Sequence, residues 1–373
     1  MSQPTITGAV IDGIFAINKP PGKSSAQVIR DLQSIFKTSR FFARTSQDQV
    51  STDRHDISTS RRRAKSRRQN VKIGHGGTLD PMATGVLVLG IGSGTKLLGN
   101  FLDCTKSYEA TVLFGAATDS YDTDGKVLRR ASSAQLTPSK VTEALSPFRG
   151  KTMQRPPLYS AIKMNGKRLC DYAREGKDIP REIATRPVVV EELELMKWLP
   201  PGSHSFSLPR TDADAEVINV AENLLHLGEI STSPVEPLQE AACFGSEAAT
   251  SLKRKRSLDR AEIHSDKHAR SSVPQEPTAT HDQETSSQDQ SAVEVDQPAA
   301  KLGMTVSSGF YVRSLAHDLG EAVGSLACMC ALTRTRQAGF ELGKNVLEYE
   351  EFQKSEDIWS GLLRDLLRKD VTL

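Results

Sequence analysis

The chain has 373 residues, more than one domain usually needs, and only 37% of them are apolar, so part of it is predicted not to fold. The formal net charge of +2 hides two opposed parts. Residues 201–300 hold 8 basic and 17 acidic side chains, whereas the rest of the chain holds 40 and 29. A basic folded part with an acidic insertion fits a polyanionic partner such as nucleic acid.

The cysteines and the apolar runs exclude several classes of protein. The cysteines form an odd set without a C-x-x-C pair, which argues against a disulfide framework and against a zinc site. No segment approaches the run of about 18 apolar residues that a membrane span needs, and the N-terminus lacks the pattern of a signal peptide. We therefore expect a protein of the nucleus and cytoplasm, with the mitochondrion as an alternative, and no membrane partner.

The N-terminal segment predicts a strand, a turn and a helix. The strand lies around Ile14–Ile17, the turn is at Pro20–Gly22, and Ser24 with Gln27 has the spacing of a capping box. Residues 38–71 follow and are predicted to form a basic, disordered insertion. Its run "RRRAKSRR" is either a solvated charge run or a contact for RNA or nuclear import.

The stretch "GHGGTLDPMATG" (74–85) surrounds a single aspartate with glycines and a proline. Glycines such as Gly77 allow a large ligand to approach the backbone, and Pro81 fixes the chain next to Asp80. With no second carboxylate nearby, Asp80 is suited to act as a lone nucleophile or base. An Asx turn before the proline is the structural alternative. A buried strand is predicted directly afterwards, over Val86–Ile91.

Two further motifs have weaker functional interpretations. "GIGSGTK" (Gly90–Lys96) resembles a phosphate-binding loop, but its glycine spacing matches neither nucleotide fingerprint. "DSYDTDG" (Asp119–Gly125) resembles a calcium loop without its terminal carboxylate, and a polar hairpin turn is the preferred interpretation. Between these motifs, "SYEATVLFG" alternates as a strand, and Tyr108 lies at its start.

Residues 201–300 are predicted to form an acidic, disordered insertion. They lie between "VEELELMKW" and "KLGMTVSSG", which are expected to be paired strands. A helix, "FYVRSLAHDLGEAV", follows. Tyr311 and Arg313 fall in its first turn, where they either face a site or form an ordinary surface ion pair.

Several of these stretches resemble one family in collinear order. "GHGGTLDPMATGVLVLGIGSGTKLL" resembles the catalytic motif of the TruB-type pseudouridine synthases, which isomerise uridine 55 in the T loop of tRNA. Further similar blocks are "NKPPGKSS", "KSYEATVLFGAATDSYDTDG", the RNA-gripping thumb "QRPPLYSAIKMNGKRLCDYAREG", "SSGFYVRSLAHDLG" and "LTRTRQAGF".

The resemblance implies an α+β fold, with a mixed, mainly antiparallel β-sheet flanked by helices and loops. The catalytic domain would comprise residues 1–37, 72–200 and 301–345, interrupted by the two disordered insertions. Residues 346–373 would form a C-terminal helical tail, without the PUA domain that bacterial members usually carry. A stand-alone eukaryotic member of fungal type is therefore expected.

The resemblance also implies roles for individual residues. The catalytic set would be Asp80, its ion-pair partner Arg313, and Tyr108 stacked on the target uracil. Tyr311 and Leu332 would line the same pocket, and His75 would fill space in the T loop. Thumb residues expected to bind the substrate are Lys163, Lys167, Arg168 and Arg174. Residues with structural roles are Lys19, Pro20, Gly77 and Pro81.

The expected partner is the T arm of tRNA, with T-loop-like hairpins of mRNA as a second class of substrate. The reaction needs neither metal nor cofactor, no guide RNA is expected, and a monomer is predicted. Two alternatives stay open: a tRNA-binding folding chaperone that depends little on catalysis, and a nucleotide-dependent enzyme built on Gly90–Lys96.

Overall fold

A ten-stranded sheet forms the centre of the protein. The computed structural model describes residues 11–42, 71–175, 179–215, 217–218 and 297–367. Within these ranges the strands are β1 (Gly13–Lys19), β2 (Ile73–His75), β3 (Thr84–Ile91), β4 (Lys106–Phe114), β5 (Ala116–Thr118), β6 (Val127–Arg130), β7 (Gly150–Gln154), β8 (Lys163–Met164), β9 (Lys167–Arg168), β10 (Arg186–Leu199), β11 (Ala299–Val306), β12 (Ala327–Gln337), β13 (Phe340–Glu341) and β14 (Leu347–Glu348).

The sheet is mixed and mainly antiparallel. Its strands lie in the order β14-β1-β3-β12-β4-β11-β10-β7, with β13 added to β12 and β2 added to β3. Only the pairs β1–β14 and β3–β12 are parallel. Separate two-stranded sheets are formed by β5 with β6 and by β8 with β9. The predicted fold class is therefore confirmed, and so is the pairing of β10 with β11, which begins at Leu199 opposite Ala299.

Helices cover this sheet and connect its strands. They are α1 (Ser25–Thr38), α2 (Leu98–Leu102), α3 (Pro138–Ala144), α4 (Leu169–Arg174), α5 (Val312–Ala322) and α6 (Glu356–Leu367). The Ser24 hydroxyl accepts a hydrogen bond from the Gln27 amide at 3.1 Å, so α1 begins at the predicted cap. None of the helices in the described ranges has the length and apolarity to cross a bilayer.

The folded region extends beyond the predicted boundary at residue 37. Phe42 is buried, and its ring centroid lies 4.5 Å from that of Phe36. Glu356, at the start of α6, accepts hydrogen bonds from the Ser39 hydroxyl and the Phe41 amide. Residues 38–42 therefore belong to the folded domain, and residues 43–70 of the predicted basic insertion (38–71) lie outside the described residues.

The C-terminal segment is also more than a helical tail. The strand β14 extends the sheet beside β1, and Trp359 and Leu363 of α6 are buried in the core. The predicted helix is present, and the segment as a whole completes one edge of the domain.

The predicted acidic insertion begins too early in the chain. The Val127 amide donates to the Thr211 carbonyl at 2.9 Å, and the Ala213 amide donates to the Val127 carbonyl at 2.8 Å. Ala213 is buried against Leu128 of β6. Residues 211–213 therefore pair with and pack on β6, and the predicted insertion, apart from 201–215, 217–218 and 297–300, lies outside the described residues.

Two deletions should separate these parts of the insertion. Replacing residues 219–296 by a Gly/Ser linker of about 20 residues should leave the free energy of unfolding nearly unchanged, because β10 and β11 pair directly. Replacing 201–296 by the same linker should lower it by about 1–3 kcal/mol, since two backbone hydrogen bonds at β6 are lost. Urea titrations of both variants test this, and equal stability of the two would contradict it.

Candidate active site

Asp80 and Arg313 form a two-pronged ion pair. Arg313 Nε lies 2.9 Å from Asp80 Oδ2, and Arg313 Nη2 donates to Asp80 Oδ1 at 3.3 Å. The Arg313 side chain is 7% exposed and that of Asp80 is 33% exposed. The arginine is thus fixed inside the protein while the carboxylate remains accessible. Arg313 lies in the first turn of α5, as predicted, but the helix begins at Val312 and Tyr311 precedes it instead of falling in that turn.

The other contacts of the Arg313 nitrogens are to two backbone carbonyls and to a buried carboxylate. Nη1 donates to the Ser120 carbonyl at 2.9 Å, and Nη2 donates to the Tyr159 carbonyl at 3.0 Å. Nη1 also lies 3.5 Å from Asp122 Oδ2, and the Asp122 side chain is only 7% exposed. The guanidinium therefore bridges two carboxylates, one accessible and one buried.

Asp122 was missed as a site residue by the analysis of the sequence. It lies in "DSYDTDG", which does form the predicted turn, between β5 and β6. Burial raises the pKa of Asp122 to about 6, while hydrogen bonding from Ser120 and the charge of Arg313 oppose that shift. The signal for Asp122 was its position within a block that carries the family resemblance. Its link to Arg313 spans most of the chain and has no local pattern.

The titration of Asp122 should appear in the pH profile of the reaction. As the pH falls through about 6, Asp122 becomes neutral, Arg313 loses an anchor and the rate should fall. Folding should respond in the opposite direction: a carboxyl whose pKa is raised in the folded state stabilises that state as the pH falls from about 6 towards its unfolded value of about 3.9. A loss of rate would therefore not reflect unfolding linked to Asp122.

Asp122→Asn should remove the inflection near pH 6 and lower the rate at pH 7.5 by about tenfold or more, because Arg313 loses the charge of one partner in a buried ion pair. Asp318→Asn is the matched control, since burial raises the pKa of that carboxyl to about 7 and it has no contact with Arg313 in the described residues. An inflection that survives in Asp122→Asn would contradict the assignment.

The turn after β1 holds the aspartate loop from one side. The ammonium group of Lys19 is buried and donates to the carbonyls of Pro20 at 2.8 Å, Lys23 at 2.6 Å and Pro81 at 3.0 Å. The Gly22 amide donates to the same Pro81 carbonyl. Burial lowers the pKa of Lys19 to about 8, although the negative charge of Asp80 acts against this. The predicted structural residues Lys19, Pro20 and Pro81 are thus linked in one hydrogen-bonded cluster.

The strand β12 holds the loop that carries Asp80 from the other side. Arg334 is fully buried and donates from Nε to the Val86 carbonyl at 2.7 Å and from Nη2 to the Gly77 carbonyl at 3.2 Å. Gln337 Nε2 donates to the Gly76 carbonyl. A bulge between Arg334 and Arg336 allows both side chains to reach the loop although they are three positions apart. Neither Arg334 nor Gln337 was singled out from the sequence. The available signal was a pair of polar side chains within a central strand, where they would be buried.

Gly85 is required where β3 and β12 run in parallel. Its φ is +100°, and an added Cβ would lie 2.2 Å from the Arg334 carbonyl oxygen. Gly77 also has a positive φ, +137°, where the loop passes over the side chains of Arg334 and Gln337. At these two positions the glycines have the expected positive φ and allow the close approach of β12, whereas the approach of a large ligand stays a prediction.

Gly85→Ala should destabilise the fold by more than about 3 kcal/mol, because strain at a positive φ adds to a clash with backbone atoms that cannot move aside. Gly99→Ala is the control, since an added Cβ there meets no atom within 4 Å. Thermal and urea unfolding of the two variants measure the difference. Near-wild-type stability of Gly85→Ala would show that the contact between β3 and β12 does not require glycine at position 85.

The other predicted pocket residues lie on neighbouring elements. Tyr108 of β4 is buried and is paired in register with Arg334 of β12. Leu332 is buried two residues earlier in β12, and Tyr311 immediately precedes α5. His75 ends β2, and burial together with the charge of Arg334 lowers its pKa. Among the described residues, the hydrogen bonds of the predicted catalytic set join only Asp80 and Arg313.

The predicted thumb is a small structural unit between β7 and β10. Its β8–β9 hairpin places Lys163 opposite Arg168, and both side chains are exposed. Lys167 instead pairs with Glu175, and Arg174 lies 3.6 Å from Asp171. A local apolar cluster of Met164, Leu169 and Ile183 supports the unit. Two of the four predicted binding residues therefore already have acidic neighbours.

The two remaining candidate sites have different surroundings. In the Gly90–Lys96 loop, the Gly94 amide donates to Asp12 Oδ1 at 2.9 Å and the Ser93 hydroxyl donates to Asp12 Oδ2, so a carboxylate occupies the donors that a phosphate would need. Among the described residues, one group could offer three metal ligands, and it lies on α5: His317, Asp318 and Glu321, with ligand atoms up to 4.8 Å apart. It contains none of the predicted catalytic residues.

Comparisons with known proteins identify the family. The model of the TruB family pseudouridylate synthase N-terminal domain matches residues 62–211. The chain is 39% identical over 347 residues to tRNA pseudouridine synthase 4 of Schizosaccharomyces pombe, covering 91% of this chain and 82% of that protein. It is 33% identical over 374 residues to tRNA pseudouridine synthase 4 of Saccharomyces cerevisiae, covering 97% and 86%.

A third relative is the human pseudouridylate synthase TRUB1, which is 38% identical over 191 residues, or 51% of this chain and 50% of that protein. The chain therefore belongs to the TruB family of pseudouridylate synthases, and the family expected from the motifs is confirmed.

Proposed function

We propose that this protein isomerises uridine 55 in the T loop of tRNA to pseudouridine, with Asp80 as the catalytic group. The observation that carries the proposal is the buried Arg313 gripping a partly exposed carboxylate on a loop that is held from two sides. The names of the two yeast relatives support tRNA as the substrate. T-loop-like hairpins in mRNA are a second class of substrate, and we expect no guide RNA.

The reaction breaks the N1–C1′ bond of uridine, rotates the uracil and joins it again through C5. A proton leaves C5, N1 gains one, and no atoms are lost or gained overall. Asp80 can serve either as the nucleophile at C1′ or as the base that removes the C2′ proton. In both routes the carboxylate must keep its place when the RNA excludes water, and the Arg313 guanidinium holds it there.

The target base must leave the T loop to reach this carboxylate. Tyr108 is suited to stack on the extruded uracil, and Tyr311 and Leu332 to line the pocket. His75 borders the glycine-rich loop, where it would take the space that the base leaves.

The thumb would grip the RNA backbone. Lys163 and Arg168 are like charges directly opposite each other, an arrangement that is locally unfavourable and suits two groups that face phosphates. Lys167 and Arg174 would exchange their acidic neighbours for phosphates on binding.

Asp80→Asn tests the proposal directly. The variant should fold and bind T-loop RNA with near-normal affinity, yet form no pseudouridine, because the loop is held through Lys19, Arg334 and Gln337 whatever residue occupies position 80. Arg313→Lys should keep a trace of activity, since it retains the charge and loses the fork geometry. The measurements are pseudouridine mapping at tRNA position 55, filter binding, and mass spectrometry to exclude deamidation.

Asp103→Asn is the matched control: the same chemical change at an exposed aspartate should leave the rate unaltered. Formation of pseudouridine by Asp80→Asn at a rate close to that of the wild type would contradict the proposed mechanism. An inactive wild-type protein that still promotes tRNA folding would instead favour the chaperone alternative.

A further inference from the structure

Two facing residues at the base of the thumb hold Tyr311. Gln154 is the last residue of β7 and Arg186 the first of β10, and they lie opposite each other in the antiparallel register. The thumb, residues 155–185, is the segment between them. Both chain connections between the thumb and the rest of the domain therefore pass through this pair.

Gln154 fixes the backbone of Tyr311. Its side-chain oxygen accepts from the Tyr311 amide at 2.8 Å, and its Nε2 donates to the Tyr311 carbonyl at 3.0 Å. Gln154 is buried, and no side chain caps the start of α5. The glutamine thus orients the peptide groups on both sides of Tyr311, just before the helix that carries Arg313.

Arg186 fixes the ring of Tyr311. Its guanidinium carbon lies 4.6 Å from the ring centroid, and its Nη2 donates to the Gly309 carbonyl. Its Nε is buried and finds no acceptor among the described residues. The guanidinium of Arg186 therefore stacks on the Tyr311 ring and is hydrogen-bonded to the turn before that residue. A planar cation suits such stacking better than an ammonium group does.

The first residues of the thumb contact the catalytic helix as well. The Ser314 hydroxyl donates to the Arg155 carbonyl at 2.8 Å, and Arg313 donates to the Tyr159 carbonyl at 3.0 Å. Within the segment 311–314, Arg313 and Ser314 are therefore attached to the thumb itself, and Tyr311 is attached to the two residues at its base.

We infer that Arg186 and Gln154 are positioning residues that set the Tyr311 ring in the pocket for the extruded base. This inference rests on the proposed function. It differs from a phosphate contact, because Arg186 acts through Tyr311 and its loss changes the chemical step rather than the affinity for RNA.

The test is a double-mutant cycle between Arg186→Met and Tyr311→Ala, followed by single-turnover pseudouridine formation at saturating tRNA. Arg186→Met should lower the rate by about tenfold to a hundredfold, because misplacing a group in the site by about 1 Å can cost about a hundredfold. The dissociation constant and its salt dependence should stay unchanged. In the Tyr311→Ala background, Arg186→Met should have no further effect.

Two further variants separate the causes. Arg149→Met removes an exposed arginine from the other end of the same strand pair, where it donates to the Leu193 carbonyl, and should leave the rate unchanged. Arg186→Lys keeps the charge without the plane and should behave as Arg186→Met does. Rescue by lysine, a weaker and less salt-dependent affinity for RNA, or additive effects in the cycle would each overturn the inference.

The wild-type arm distinguishes the two proposals. Absence of pseudouridine with the wild-type protein refutes the proposed function and, with it, this inference. An active wild type whose rate is insensitive to Arg186→Met refutes the inference alone.

Discussion

The burial of one guanidinium group constrains the whole site. Arg313 has been removed from water, so each of its nitrogens needs an oxygen, and those oxygens come from three separate segments: the Asp80 loop, the β5–β6 turn and the thumb. An arginine desolvated without these partners would cost several kcal/mol. The arginine and its ligands are therefore mutually dependent, and three segments that are distant in the chain are held at one point.

The loop that carries Asp80 is held in a complementary way, through its carbonyl groups. Lys19 binds Pro81, Arg334 binds Gly77 and Gln337 binds Gly76, so positive or polar side chains meet backbone oxygens on both sides of the aspartate. The side-chain carboxylate of Asp80, in contrast, is paired with Arg313. Charged and amide side chains thus hold the backbone of the loop while Arg313 holds the reactive carboxylate, so the loop is fixed whatever residue occupies position 80.

The sequence predicted those parts of the site that have a local signature. Glycines around a carboxylate before Pro81, a capped helix start at Ser24 and strand alternation around Tyr108 are patterns within a few residues, and they were interpreted correctly. Asp122, Arg334 and Gln337 have no such pattern, because their partners lie far away in the chain. The predicted start of the acidic insertion at residue 201 was wrong for the same reason: Thr211 and Ala213 have no local pattern and are held by contact with Val127 and Leu128 of β6.

The meeting of the first and last described segments has a consequence for biosynthesis. Phe36 and Phe41 contact Trp359, Phe36 also contacts Phe352, and β1 gains its outer neighbour only when β14 has been made. During translation, this aromatic surface therefore lacks its native cover until residues 347–359 have been made. Up to that point the nascent domain offers chaperones an apolar surface.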